Sequence, residues 1–581
     1  MSARSLSARS AIALAPLLAI AGCSWIRPSE PLEPLPSGVA APVLEAIPVE
    51  FAHVWDRERA LHLSGAAVID VDADGRFEIF VGGGDGQPDA LLAYRGGRLV
   101  DRIEGTGLSS LQATYGSASL DLDDDGWVDL VVARNDGVTL YHNRGGRFEA
   151  RHLAVELPAD SVPLAVSLSD IDADGDADLY LSDFVDYPHF VSATFNVPSH
   201  AKPNRLLRND GSLEFTDITT PEVESLQNTF TSLFVDLDGD RRQDLVVAQN
   251  TGQVELFRNA GGRFERVPLE TGYGFWMGVS SGDFDSDGDQ DLFFSNVGVS
   301  FPASLAHGDL RDDQRYEPDW LLLRNEGGFR FSDATREMGL SGMGFGWGSV
   351  FEDINLDGRL DLLVAQNYVK WPPHRWFKFP GKVLLAGPAS APRFSALPGE
   401  IDPSFGNSPV IVDLDADGRQ DLFWLNNDDP SRAYLNRSQG DAVLVALPDA
   451  ARSLGARVRL VGARSAYTRE FSTSVGLGTD QSPVWAFAVG PDDRAARIEV
   501  EWPDGLRAQI PDPPRNARIE VDRDGARRRG AGGEPIPLAA RYSESRERAA
   551  STARTSSSGT SSESSADGWS SASALRSDVA R

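Results

Sequence analysis

One nine-residue stretch is written seven times along this chain, and no other feature limits its folding so strongly. It reads DVDADGRFE from Asp70, DLDDDGWVD from Asp121, DIDADGDAD from Asp170, DLDGDRRQD from Asp236, DFDSDGDQD from Asp283, DINLDGRLD from Asp353 and DLDADGRQD from Asp413. Oxygen-bearing side chains stand at positions 1, 3, 5 and 9 of every copy. Glycine stands at position 6 of all but one, where Arg241 replaces it.

Acids at positions 1, 3 and 5 of a tight loop converge on one point, and the carbonyl of position 7 adds a fourth oxygen. A hard cation such as Ca²⁺ takes six to eight oxygens in flexible geometry. Without a cation, carboxylates about 5 Å apart repel by roughly 3 kcal/mol at an effective dielectric of 20. The expected ligands, with position 7 acting through its backbone, are Asp70, Asp72, Asp74, Arg76 and Glu78; Asp121, Asp123, Asp125, Trp127 and Asp129; and Asp170, Asp172, Asp174, Asp176 and Asp178. The middle copy supplies Asp236, Asp238, Asp240, Arg242 and Asp244. The last three supply Asp283, Asp285, Asp287, Asp289 and Asp291; Asp353, Asn355, Asp357, Arg359 and Asp361; and Asp413, Asp415, Asp417, Arg419 and Asp421. Up to seven structural Ca²⁺ ions are therefore expected. The Asp236 copy is the weakest, because Arg241 must make the turn of a glycine. Asn355 lowers the charge of the sixth copy.

An EF-hand begins the same way but ends on a glutamate at position 12 between two helices. Here position 12 is Val81, Val132, Leu181, Val247, Phe294, Val364 and Trp424, and position 9 opens β-type runs such as DLVVA at Asp129 and DLFFS at Asp291. These loops join strands. Each is preceded by a strand of small residues and followed by an apolar strand, a third strand ending near Asn-x-Gly (LYHNRGG, LFRNAGG, LLRNEGG) and a fourth. Four short strands per unit of about fifty residues predict a seven-bladed β-propeller over residues 48–437. The seventh unit lacks a fourth strand, and the isolated stretch Val49–Val54 is expected to complete it and close the ring. Three units carry insertions between second and third strands, at Phe184–Pro203, Val297–Asp319 and Tyr368–Pro380, on the face away from the acidic loops. In the third, Tyr368, Trp371, Trp376 and Phe377 are candidate partner contacts.

FWMGVSSGDFDSDGDQDLFFSNVG (275–298) and FSDATREMGL (331–340) resemble FG-GAP/VCBS repeats, and LGARVRL (454–460) with VEWPDG (500–505) resembles an ASPIC/UnbV domain. The resemblance covers about residues 49–524. It implies an integrin α-like propeller with bound calcium, an extracellular interaction role as in cartilage acidic protein-like proteins, and no established catalysis.

The remainder sets the context. Residues 441–524 read as a small all-β domain. Residues 525–581, rich in Ser, Ala, Arg and Gly, read as disordered. Arg4 and Arg9 precede the apolar run Ala11–Ala21, too short to span a bilayer, and Ile20-Ala21-Gly22-Cys23 resembles a bacterial lipobox. A signal peptide over 1–22, lipidation of Cys23 (the only cysteine), a proline-rich tether over 23–47 and an outer-membrane or cell-surface address are expected. The net charge of −31 argues against nucleic acid as a partner. Seven divalent ions would cancel nearly half of it. The leading function is a calcium-clamped lipoprotein platform for a protein or polysaccharide. One alternative is a polysaccharide lyase or hydrolase on the insertion face, where His189, His200, His307 and His374 fall. The other is a periplasmic assembly scaffold. No nucleophile elbow, phosphate loop or zinc signature is present.

Overall fold

The computed structural model describes residues 35–55, 60–190, 194–298, 308–366, 379–399, 401–462, 466–489, 496–529 and 535–544. Cys23, His307, Tyr368, Trp371, His374, Trp376 and Phe377 lie outside them.

Among the described residues, each acidic loop joins the first two strands of one antiparallel sheet, and there are seven such sheets. The first strands are Ala66–Ile69, Thr114–Leu120, Ser161–Ser169, Thr229–Val235, Val279–Gly282, Gly346–Glu352 and Gly406–Val412. Each packs against the first strand of the next sheet, and Gly406–Val412 packs back on Ala66–Ile69. The sheets therefore follow one another about an axis, in the arrangement of a β-propeller. The small residues of these strands are required by that convergence. A Cβ on Gly116 would collide with the carbonyl of Leu164, and one on Gly348 with Ser408. Second strands such as Asp129–Arg134 and Asp421–Asn426 are buried throughout, since sheets cover both their faces, which is why they read as continuous apolar runs. The outermost strands Phe148–His152 and Phe264–Val267 bury only their first phenylalanine and turn the rest toward solvent.

The seventh sheet is completed from the N-terminus, but by Leu44–Ile47 rather than by Val49–Val54. Leu44 pairs with Asn436 and Ile47 with Ala433, antiparallel to Arg432–Asn436. Pro48, lacking an N–H, ends this pairing. Val49 then bridges Leu99 in the first sheet, and Ala52 bridges Pro430 in the seventh. The expected tether thus contributes a strand, and the residues expected to form it fasten the seam beside it.

Beyond the ring stand two five-stranded sheets. One is ordered Val484–Val489, Asp441–Ala446, Ala517–Val521, Ala526–Arg529, Pro535–Pro537. The other is ordered Ala466–Glu470, Arg457–Val461, Arg497–Glu501, Leu506–Pro511, Arg541–Glu544. Val443, Val445, Val458, Leu460, Phe487 and Ile498 belong to their shared core. Three of these strands fall in the stretch expected to be disordered. Edge pairing orders them despite weak apolar patterning: Arg541–Glu544 pairs with Leu506–Gln509, and the Tyr542 hydroxyl donates to the Asp522 carbonyl at 3.0 Å.

The segment 471–483 leaves this domain and enters the middle of the ring. Thr479–Asp480 adds a parallel strand to Ala66–Ala67. Gly476 and Val279 exchange backbone hydrogen bonds, the Gly478 carbonyl accepts from Ala66 and Ser117, and the Thr473 hydroxyl accepts from Leu168 N at 2.9 Å. Asp480 accepts from Ser119 N at 2.8 Å and from Ser474 N at 3.1 Å. The C-terminal domain therefore caps the acidic-loop end of the ring and threads its axis.

Candidate metal loops at the capped rim

All seven loops share one backbone geometry. Positions 4 and 6 have positive φ in every copy, as at Asp124 (56°) and Gly126 (90°), or Ser286 (64°) and Gly288 (104°). At position 6 this favours glycine; Arg241, at φ 72°, carries the strain there. The turn folds backbone N–H groups inward onto the first aspartate. In the second copy, Asp125 N and Gly126 N donate to Asp121 Oδ1 and Oδ2 at 3.1 and 2.9 Å. Trp127 N donates to Asp125 Oδ1 at 3.0 Å.

Carboxylates converge as the spacing requires. Ligand atoms of Asp70, Asp72 and Asp74 lie within 4.8 Å of one another, as do those of Asp121, Asp123 and Asp125, of Asp170, Asp172 and Asp178, and of Asp236, Asp238 and Asp244. Position 9 does more than offer an oxygen. Asp129 Oδ2 accepts from Leu122 N at 3.2 Å and its Oδ1 from Asn143 N at 2.7 Å, so it ties the loop entrance to the third strand. The same pair of bonds forms at Asp178, Asp244, Asp291 and Asp421.

Burial raises these carboxyls. It pushes Asp121 and Asp170 up to about 6, Asp129 to about 7, Asp178 and Asp421 to about 8, and Asp291 to about 9, with neighbouring aspartates adding to the rise and backbone donors opposing it. Several of their buried oxygens, Asp123 Oδ1, Asp283 Oδ1, Asp361 Oδ2 and Asp415 Oδ1, have no hydrogen-bond partner. Crowded, desolvated, acceptor-only oxygen sets of this kind fit a hard divalent cation.

The copies differ in how their charge is offset. Around the fourth loop, Arg258 Nε is 3.0 Å from Asp238, Arg457 of the cap is 3.2 Å from Asp236, and Arg242 pairs with Asp240. Arg437 lies 2.8 Å from Asp415 and 2.7 Å from Asp417 in the seventh, and Arg359 pairs with Asp357 in the sixth. The cap also reaches the fifth loop, where Thr468 N donates to Asp283 Oδ2 at 2.9 Å, and the second, where Asp121 N donates to the Asp449 carbonyl at 2.8 Å.

One recurring residue was legible only as a turn signal. In four sheets the asparagine closing the third strand sends its side-chain amide to position 2 of the preceding sheet's loop. Asn143 reaches the Val71 carbonyl, Asn259 that of Ile171, Asn325 that of Leu237 and Asn436 that of Ile354, each at 2.9 Å. It is thus a rivet between neighbouring sheets. Its repetition four residues into LLRNEGG-like runs was the available signal.

Residues 121–181 and 236–294 match the model of the FG-GAP-like repeat, and residues 448–528 match that of ASPIC and UnbV. The chain carries FG-GAP-like repeats and an ASPIC and UnbV domain. It is 24% identical over 497 residues to cartilage acidic protein 1 of Xenopus tropicalis, covering 76% of this chain and 70% of that one. Among solved structures it is similar to the BP39L lectin from Burkholderia pseudomallei (TM-score 0.42, 12% identity, 64% of this chain and 96% of the lectin). It is also similar to rhamnogalacturonan lyase PL11 from Bacillus licheniformis (TM-score 0.37, 10% identity, 68% of this chain and 76% of the lyase). Within the ASPIC and UnbV domain, Arg457, Arg469 and Glu470 are among the side chains turned to the FG-GAP-like rim. Arg469 pairs with Glu352, and Glu470 accepts from Asp236 N at 2.9 Å.

The histidines considered for catalysis do not converge on a reacting pair among the described residues. His189 Nδ1 contacts Asp186 three residues away at 2.5 Å, and His200 Nδ1 contacts Thr194 at 2.5 Å.

Proposed function

We propose that the chain is an exported, lipid-anchored recognition platform whose FG-GAP-like loops bind structural calcium and whose insertion end engages a protein or polysaccharide. The observation that carries this reading is the asymmetry of the two ends. The ASPIC and UnbV domain covers the acidic-loop rim, and among the described residues no second domain covers the end bearing the insertions. Of the five large hydrophobic residues exposed among the described ones, four (Val54, Leu111, Phe190 and Leu226) precede first strands or lie in an insertion, and so emerge at that end. Their position at the end away from the cap supports reading that end as the interaction surface. Calcium, held by positions 1, 3, 5 and 9 and the position-7 carbonyl, would neutralise each loop and fix the rim on which the cap sits.

The test is capture of envelope proteins and defined polysaccharides by the purified mature chain, with and without calcium. Capture should require calcium and be lost on combined Val54→Ser, Leu111→Ser, Phe190→Ser and Leu226→Ser substitution. Equal capture by that variant, with its melting temperature unchanged, would move the binding surface elsewhere.

A further inference from the structure

The second loop differs from its neighbours in one ligand. In the third, fourth and fifth sheets the residue before the asparagine that ends the third strand is Arg208, Arg258 or Arg324; in the second it is His142. Arg258 Nε and Arg324 Nε each sit 3.0 Å from the position-3 carboxylate of their own loop, Asp238 and Asp285. His142 Nε2 takes the same place, 3.0 Å from Asp123 Oδ2 and 3.5 Å from Asp125 Oδ2. A guanidinium is always protonated and has no lone pair to offer a metal, whereas a neutral imidazole brings one on nitrogen.

Three observations turn this substitution into a site. Ligand atoms of Asp123, Asp129 and His142 lie within 4.8 Å of one another, a span one ion can bridge. Asp123 Oδ1 is buried without a hydrogen-bond partner, His142 Nε2 makes no aligned hydrogen bond despite its 3.0 Å approach to Asp123 Oδ2, and the His142 side chain is only 12% exposed. A cleft of about 610 Å³ opens beside them between the second and third sheets, lined by Asp123, His142, Arg144, Glu149, Arg151 and Asp176, and it gives an ion and its waters a way in.

We propose that this loop binds a first-row transition ion of the Zn²⁺ class through His142 Nε2 with Asp123 and Asp129, in preference to calcium. Imidazole nitrogen is a poor ligand for Ca²⁺ and a good one for Zn²⁺, and a mixed nitrogen–carboxylate set favours the later first-row metals over alkaline earths. The inference rests on the reading that the loops hold cations at all, and it assigns one of them a different ion.

Untagged, metal-stripped protein is saturated with millimolar Ca²⁺ and titrated with Zn²⁺ by calorimetry, with bound Ca²⁺ counted in parallel. Co²⁺ serves as an absorbing substitute. We expect one Zn²⁺ site that survives excess calcium, with nitrogen in its coordination shell by X-ray absorption. His142→Arg, which installs the neighbouring sheets' residue, should abolish that site and its Co²⁺ spectrum while leaving calcium uptake by the other loops intact. Zn²⁺ binding unchanged in His142→Arg, or no Zn²⁺ bound above calcium, would overturn the proposal. Absence of bound calcium in the same preparation would instead overturn the reading beneath it.

Discussion

Asn325 Nδ2 lies 2.9 Å from the carbonyl oxygen of Leu237, a residue of the preceding sheet's loop, while its backbone N–H donates to Asp291 Oδ1 at 2.8 Å. One side chain therefore joins its own loop to the neighbouring one, and the same connection recurs at Asn143, Asn259 and Asn436. The loops are coupled around the rim by side chains as well as by any ion they hold.

Asn325→Ala removes that bridge and leaves the buried Leu237 carbonyl without its donor. The expected cost is about 1–3 kcal/mol, read as a lower denaturation midpoint with unchanged slope. Asn325→Asp should not rescue it, because a carboxylate cannot donate to a carbonyl. A variant as stable as the parent would remove the rivet from the account.

Metal stripping should lower the melting temperature by on the order of 10 °C, since each site held at a hundred times its Kd contributes about 2.7 kcal/mol. Calcium should restore it and magnesium should not, because Mg²⁺ demands a tighter octahedral shell. Calorimetry with each ion checks this.

Arg241 holds φ 72° at a position where the other six loops carry glycine. Its guanidinium lies 3.6 Å from Glu501, beyond hydrogen-bond distance and with the two side chains 27% and 29% exposed, and such a pair contributes little. Arg241→Gly should therefore stabilise the fold, by about 0.5–1 kcal/mol, through relief of left-handed strain. A destabilised variant would mean that the contact with Glu501 outweighs the strain.

Asp480, at the tip of the threaded segment, is pushed up to about 7 by burial against the opposing pull of its backbone donors. An acid whose pKa is raised on folding is most stabilising below its unfolded value of about 4, and its contribution falls as pH climbs toward 7. In calcium-saturated protein, the stability difference between the parent and Asp480→Asn should change by about 1 kcal/mol per pH unit between pH 5 and 7, with the parent losing ground. A pH-independent difference in chemical denaturation would show that Asp480 does not titrate there.

The acidic repeat made much of this architecture readable in advance. Its spacing set the strand–loop–strand order, the small-residue runs before it marked the crowded inner strands, and the apolar runs after it marked strands buried on both faces. The misplaced closing strand shows the limit of such reading. Val49–Val54 has strand-like composition, yet Leu44–Ile47 takes the edge, because Pro48 stops the ladder and pairing with Arg432–Asn436 decides the register.

Local chemistry, then, was determined by sequence: which residues turn, which carry oxygen toward one point, and how many times. Only the tertiary structure decided which end of the ring is covered, that residues 471–483 thread its axis, that Asn325 serves the sheet before its own, and that His142 meets Asp123. Each of these is a contact between segments distant along the chain, and periodicity records what a residue does within its own strand or loop, not which remote surface will pack against it.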